Sequence, residues 1–146
     1  MSFLDSRRGL LDGVVFSGGE PTLQAALQEA MRAVRALGFR TGLHSAGPYP
    51  ERLASVLPLI DWIGFDIKAP FDDYARITGV PGSGAKARAS LQRVLTSGVS
   101  LEVRTTVDPT LLDGETVRRL AGELSALGVA HHKIQASRAI GCANLH

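Results

Sequence analysis

Five short apolar runs in this sequence each end in residues that suit the binding of a small charged molecule. The first closes in Ser17-Gly18-Gly19-Glu20-Pro21 and the second in His44-Ser45-Ala46-Gly47. The third ends in Asp66-Ile67-Lys68 and the fourth in Arg104-Thr105-Thr106, while the fifth runs through Gln135 toward Arg138. Lys68 and Arg104 neutralise a carboxylate or phosphate, Arg through a two-pronged contact. Paired glycines expose main-chain carbonyls, because no Cβ blocks close approach. Carbonyls near Glu20 and Asp66 suit an ammonium group. Anion-binding and ammonium-binding groups in one site fit a zwitterion of the amino-acid kind. The bland alternative is that such ends are polar because they are solvated. It accounts for any one of them better than for five together.

Other local signals are weaker. Gly82-Ser83-Gly84-Ala85-Lys86-Ala87 fits G-x-G-x-x-A, but a dinucleotide fingerprint needs a strand before it and none precedes this one. Gly79 to Lys86 misses a P-loop, with Lys86 one position late and alanine where Ser or Thr belongs. His131 and His132 are adjacent, so on a strand they point to opposite faces and do not share a metal. Cys142 has no obvious base nearby in sequence. Trp62 and Phe65 read as core residues rather than cofactor stackers. No metal ligand set and no catalytic side chain is assigned.

The elements that must position these residues alternate. Val14-Val15-Phe16, Thr41–His44, Trp62–Ile67, Leu101–Thr106 and His132–Ala136 read as strands. A helical stripe of Leu23, Leu27, Met31, Val34 and Leu37 predicts a helix over Thr22–Leu37, closed by Gly38. Further helices are predicted over Pro50–Leu57, over Ala85–Thr96, and from an Asp113 cap to Gly128. Ala69–Gly84, with two prolines and three glycines, reads as a loop. The order β-α-β-α-β-α-β-α-β implies a parallel sheet with helical crossovers. In such α/β folds ligands bind beyond the carboxyl ends of the strands, where the polar residues above sit.

At 146 residues the chain is long enough for one self-sufficient domain. Sixteen Lys plus Arg against fourteen Asp plus Glu, with the signs interspersed, give no basic stripe for nucleic acid. Hydrophobic residues at 45% argue against disorder, and no run approaches a membrane span of about 20 apolar residues. The start lacks the apolar stretch of a secretory signal. These features predict a cytoplasmic protein. One cysteine excludes an internal disulfide and any cluster held by several thiolates of this chain.

At Ser17-Gly18-Gly19-Glu20-Pro21-Thr22-Leu23 the sequence resembles the radical S-adenosylmethionine (SAM) superfamily. Phe65-Asp66-Ile67-Lys68-Ala69-Pro70 and Val103-Arg104-Thr105-Thr106 resemble segments of anaerobic ribonucleoside-triphosphate reductase activating proteins. The pyruvate formate-lyase activating enzyme is a more distant match. Arg7-Arg8-Gly9-Leu10-Leu11-Asp12-Gly13-Val14-Val15 is similar to the family's approach to that first run. The resemblance runs to about Cys142 and implies an α/β fold, a partial TIM-type barrel. About five βα units are present, and the first strand and cluster loop of the six-unit core are missing. On this reading residues 1–146 form a single core domain truncated at its N-terminus.

The resemblance also implies roles. Gly18, Gly19 and Glu20, with Pro21 completing the motif, would hold the SAM amino group. Asp66, Lys68 and Arg104 would line the methionine or ribose part. Thr106 would contact the adenine side through its main chain, and Gln135 closes the last strand end. His44-Ser45-Ala46-Gly47 departs from the acidic residue and Thr-Asn-Gly common in relatives. The implied cofactors are SAM and a [4Fe–4S] cluster, whose Cys-x-x-x-Cys-x-x-Cys ligands this chain lacks. The implied partners are a glycyl radical enzyme, the anaerobic ribonucleotide reductase, and an electron donor such as flavodoxin or ferredoxin. An intact protein would cleave SAM reductively and form a glycyl radical on that partner; this chain alone would be inactive. Self-association is expected through Val14-Val15-Phe16, left as an apolar sheet edge. Two other readings stay open: a non-catalytic half-barrel that binds SAM or a partner, and an α/β enzyme whose glycine loop binds phosphate.

Overall fold

The computed structural model describes residues 13–136. Arg138, Cys142 and the approach segment before Gly13 lie outside them. Five strands form one open sheet in the order β1-β2-β3-β4-β5, with every neighbouring pair parallel. They are β1 (Gly13–Phe16), β2 (Arg40–Ser45), β3 (Trp62–Asp66), β4 (Ser100–Val107) and β5 (His132–Ala136). The helices are α1 (Leu27–Ala36), α2 (Pro50–Val56), α3 (Tyr74–Thr78), α4 (Ser83–Ser97) and α5 (Gly114–Leu127). Parallel neighbours need crossovers, and a helix lies in each of the four connections. The half-barrel expected from the sequence is thus present, and it does not close on itself.

Each strand divides its side chains by parity. Leu43, Ile63, Phe65, Ile67 and Val103 are fully buried in one cluster with Met31, Leu53, Leu91, Val94, Leu120 and Leu124 of the helices. The opposite face carries His44 on β2, Trp62, Gly64 and Asp66 on β3, Arg104 and Thr106 on β4, and Gln135 on β5. Register sets this face: His44 pairs with Gly64, Asp66 with Arg104, and Thr106 with Gln135. Because the side-chain period is two, a slip of one residue would send the whole polar set into the core.

Three expectations are corrected. The predicted helix over Thr22–Leu37 is a 3-10 turn over Pro21–Leu23 and then α1, because Gln24 is extended (ψ 123°) and interrupts it. Ala69–Gly84 is not one loop: a 3-10 turn over Phe71–Asp73 leads into α3. Tyr74 anchors this segment, since its ring is buried and its Oη accepts a hydrogen bond from Lys68 N at 2.8 Å. Trp62 is not in the core with Phe65. Its ring lies on the polar face, where Gly42 and Gly64 leave room: a Cβ on either would stand about 3 Å from the indole. The G-x-G-x-x-A segment opens α4 without a preceding strand, and Gly84 lets that helix pack against the Phe71 carbonyl.

Candidate functional site

At the carboxyl ends of the strands lies a cavity of about 570 Å³. Of the residues singled out from sequence, Gly19, Glu20, His44, Asp66, Lys68, Arg104, Thr106 and Gln135 line it together. Pro21 does not; it is buried as the first residue of the 3-10 turn. Gly18 faces a second cavity of about 370 Å³, shared with Phe16, Pro21 and Leu27. Ser45 and Ala46, from the same strand end as His44, also line the main cavity, together with Pro48 and Gly64, which sequence reasoning misses. Ser45 and Ala46 were legible as neighbours of His44; Gly64 inside an apolar strand carried no signal.

The glycine pair earns its place through backbone shape. Gly18 and Gly19 have φ of +86° and +58°, a region that L side chains rarely adopt. A Cβ at either would meet nothing within 4 Å, so conformation and not space demands glycine. Glu20 then turns back into the protein. Its Oε2 accepts from Thr22 N at 3.2 Å, from the Thr22 hydroxyl, and from Ser45 Oγ at 2.9 Å. Its Oε1 accepts from Ala46 N at 2.9 Å. The Glu20 carbonyl takes the Leu23 N–H at 2.9 Å. Glu20 is therefore a staple between the loop after β1 and the end of β2. The staple continues: Ser45 Oγ accepts from Gly47 N at 3.0 Å, and Ser90 Oγ of α4 donates to the Gly47 carbonyl at 2.8 Å.

The charged residues of the far wall come from β3 and β4. Lys68 Nζ and Asp66 Oδ2 pair at 2.9 Å with both side chains about two-fifths exposed, open to a ligand from the cavity side. Main-chain bonds hold them, with Ile67 N donating to the Arg104 carbonyl at 2.9 Å. Arg104 contacts the Glu102 carboxylate at 3.8 Å and donates from Nη2 to His44 Nδ1. Partial burial and the Arg104 charge lower the His44 pKa from its ordinary 6.5, while Glu102 opposes them. The cavity thus joins two cationic side chains, two carboxylates and a neutral imidazole over a loop of exposed main chain. That set can clamp a carboxylate on one side and accept from an ammonium group on another. His132 stands apart, bonded to Thr105 Oγ1 at 2.8 Å, and no cluster of metal ligands occurs among the described residues.

Known proteins resemble this chain in sequence and in fold. In Methanocaldococcus jannaschii, a curated protein named as glycyl-radical enzyme activating enzyme MJ1227 is 31% identical over 117 residues. The match covers 75% of this chain and 49% of that protein, so the chain spans about half the length of this relative. Among solved structures, a domain of pyruvate-formate lyase-activating enzyme from Bacteroides vulgatus superimposes with a TM-score of 0.67 at 19% identity. It covers 84% of this chain and 77% of that one. Native anSMEcpe with bound AdoMet gives 0.69 at 14% identity, over 92% of this chain and 41% of its own. The two superpositions establish the partial barrel. A model described as the radical SAM superfamily matches residues 3–125, and the chain belongs to that superfamily.

Proposed function

We propose that this chain is the SAM-holding part of an activating enzyme for a glycyl radical enzyme. The observation that carries the reading is the convergence of Gly19, Asp66, Lys68 and Arg104 on one cavity at the strand ends. In this assignment Lys68 and Arg104 bind the methionine carboxylate, and the Gly19 main chain, held in shape by Gly18, receives the amino group. Thr106 and Gln135 border the adenine side. Asp66 holds Lys68 in place and faces the ribose. Glu20 keeps the loop closed on β2. In this class SAM, given one electron from a donor outside these residues, would lose a C–S bond to leave methionine and a 5′-deoxyadenosyl radical, which would take hydrogen from a glycine of the partner. The resemblance of Asp66-Ile67-Lys68 and Val103-Arg104-Thr105-Thr106 favours the anaerobic ribonucleotide reductase as that partner.

The [4Fe–4S] cluster implied by the family does not fit the residues present. It needs three thiolates. The chain has one cysteine, and no metal-holding group of three occurs among the described residues. On this reading the thiolates come from outside these 146 residues. The cysteine count also favours a second reading, a half-barrel that binds SAM without redox chemistry. The in-frame coding sequence upstream decides between them by the presence or absence of Cys-x-x-x-Cys-x-x-Cys.

Calorimetric titration of the chain with SAM tests the common core of both. Saturable binding is expected, and Lys68→Ala or Arg104→Ala should each weaken it about tenfold or more, the loss of one charge-assisted contact. Phosphate binding with no response to SAM would overturn the assignment in favour of a phosphate site.

A further inference from the structure

Arg104 is held by a constellation that SAM binding alone does not require. Its guanidinium reaches back across the polar face of the sheet, between Glu102 on its own strand and His44 on β2. Gly64, on the intervening strand β3, makes the passage possible: a Cβ there would stand 3.0 Å from Arg104 Nη2 and 2.9 Å from the Trp62 ring. The His44 ring is fixed in turn by Trp62, edge-on at 5.2 Å between centroids and 61° between planes.

A guanidinium has donors only. For it to bond His44, Nδ1 must be the acceptor, so the neutral ring carries its proton on Nε2. An imidazolium would present a second N–H and a second positive charge to Arg104, and the bond would break. We propose that His44 is a positioning residue for Arg104. Its unprotonated Nδ1 takes one guanidinium N–H and leaves the rest of the fork aimed into the cavity as a carboxylate clamp. Protonation of His44 then releases the clamp. This inference rests on the SAM reading for the identity of the ligand, but the His44–Arg104 bond itself does not.

The other charges facing His44 are Glu20 from the loop after β1, and Asp66 and Lys68 from β3 and its loop. On β4 they are Glu102 and Arg104. Lys133 on β5 lies beside Arg104 in register. Of these, the Arg104 charge lowers the pKa of the ring and Glu102 raises it. The shift is downward, so the ring is neutral at neutral pH, and the clamp is lost as pH falls through the lowered value.

Two measurements on the full 146-residue chain test this. Nitrogen NMR of the His44 ring should show an unprotonated Nδ1 and a titration below 6.5 that moves upward in Arg104→Gln. A neutral ring protonated at Nδ1, or a titration unmoved by Arg104→Gln, overturns the proposal whether or not SAM binds. Calorimetry with SAM should show affinity falling about threefold or more between about pH 7.5 and 5.5 in the wild type. His44→Ala should weaken binding at neutral pH. His44→Asn, which keeps an acceptor near the Nδ1 position but does not titrate, should recover part of that loss and flatten the acid fall. An equal acid fall in wild type and His44→Asn overturns the positioning role. The coupled ring titration without SAM binding at any pH upholds the His44–Arg104 bond and sinks the SAM assignment instead.

Discussion

Gly19 and Gly47 both hold positive φ, +58° and +68°, but their surroundings differ. Gly19 faces open space, whereas a Cβ on Gly47 would run into the Phe65 ring and stand 2.7 Å from Ser90 Cβ. Alanine at Gly19 should therefore cost about 1–2 kcal/mol, the left-handed penalty alone. Alanine at Gly47 adds overpacking of about 1–3 kcal/mol. Thermal melts should show the larger drop for Gly47→Ala. SAM titration should show the reverse emphasis: Gly19→Ala weakens binding at a modest cost in stability, because it distorts the loop that lines the cavity. Equal melting points would mean that Phe65 and Ser90 yield to the added methyl. At this scale the sequence was most readable. Gly18-Gly19, Lys68 and Arg104 announce their chemistry by type, since few residues adopt that backbone or carry that charge. What type does not reveal is use. Glu20 reads as a ligand group and serves as a staple, because Ser45 and Ala46, twenty-five and twenty-six residues on, reach its carboxylate.

Among the elements, Asp61 does for the stability of the sheet what Glu20 does for the site. Its Oδ2 accepts from Thr41 N at 2.8 Å and from Arg35 Nη1 at 2.9 Å, so one carboxylate ties α1, β2 and the entry to β3. The Thr41 main-chain bond and the Arg35 cation hold its pKa below the usual 3.8. A lowered folded pKa means stability that is present above 3.8 and lost as pH falls through the lowered value. Asp61→Asn should melt lower than wild type at neutral pH, with the gap narrowing below about pH 3.8. A constant gap at every pH would assign the loss to packing rather than charge. The strands and long helices were legible because burial on one face imposes a period. The cap of α5 was legible too, with Asp113 accepting from Thr116 N at 2.8 Å. The segment from Ala69 to Gly84 was not. Its prolines and glycines argue for a loop, while the buried Tyr74, bonded to Lys68 N, opens a short helix that no local pattern records.

For the molecule as a whole, the open sheet leaves β1 with β2 as its one partner among the described residues. Val15 is 50% exposed on it, and the cavity bordered by Phe16, Gly18, Pro21 and Leu27 lies alongside. Unpaired apolar edges recruit further strands, and a lysine on the edge blocks this. Light scattering of the 146-residue chain should therefore detect association that Val15→Lys reduces. Scattering identical in the two proteins would show that β1 is not the contact. The sequence by itself determined the order of the strands and the longer helices, the parallel sheet and the polar strand ends. Each follows from periodicity, connection length and residue type, which are local properties. Only the tertiary structure decided which of those polar residues meet. Register across β2, β3 and β4 aligns His44, Gly64 and Glu102, and Arg104, two residues further along β4, reaches back over Gly64 to His44, sixty residues away in sequence. Gly64 shows why such a site stays hidden in a sequence. Its role lies in the space it leaves for two side chains, and space is a property of packing rather than of the chain.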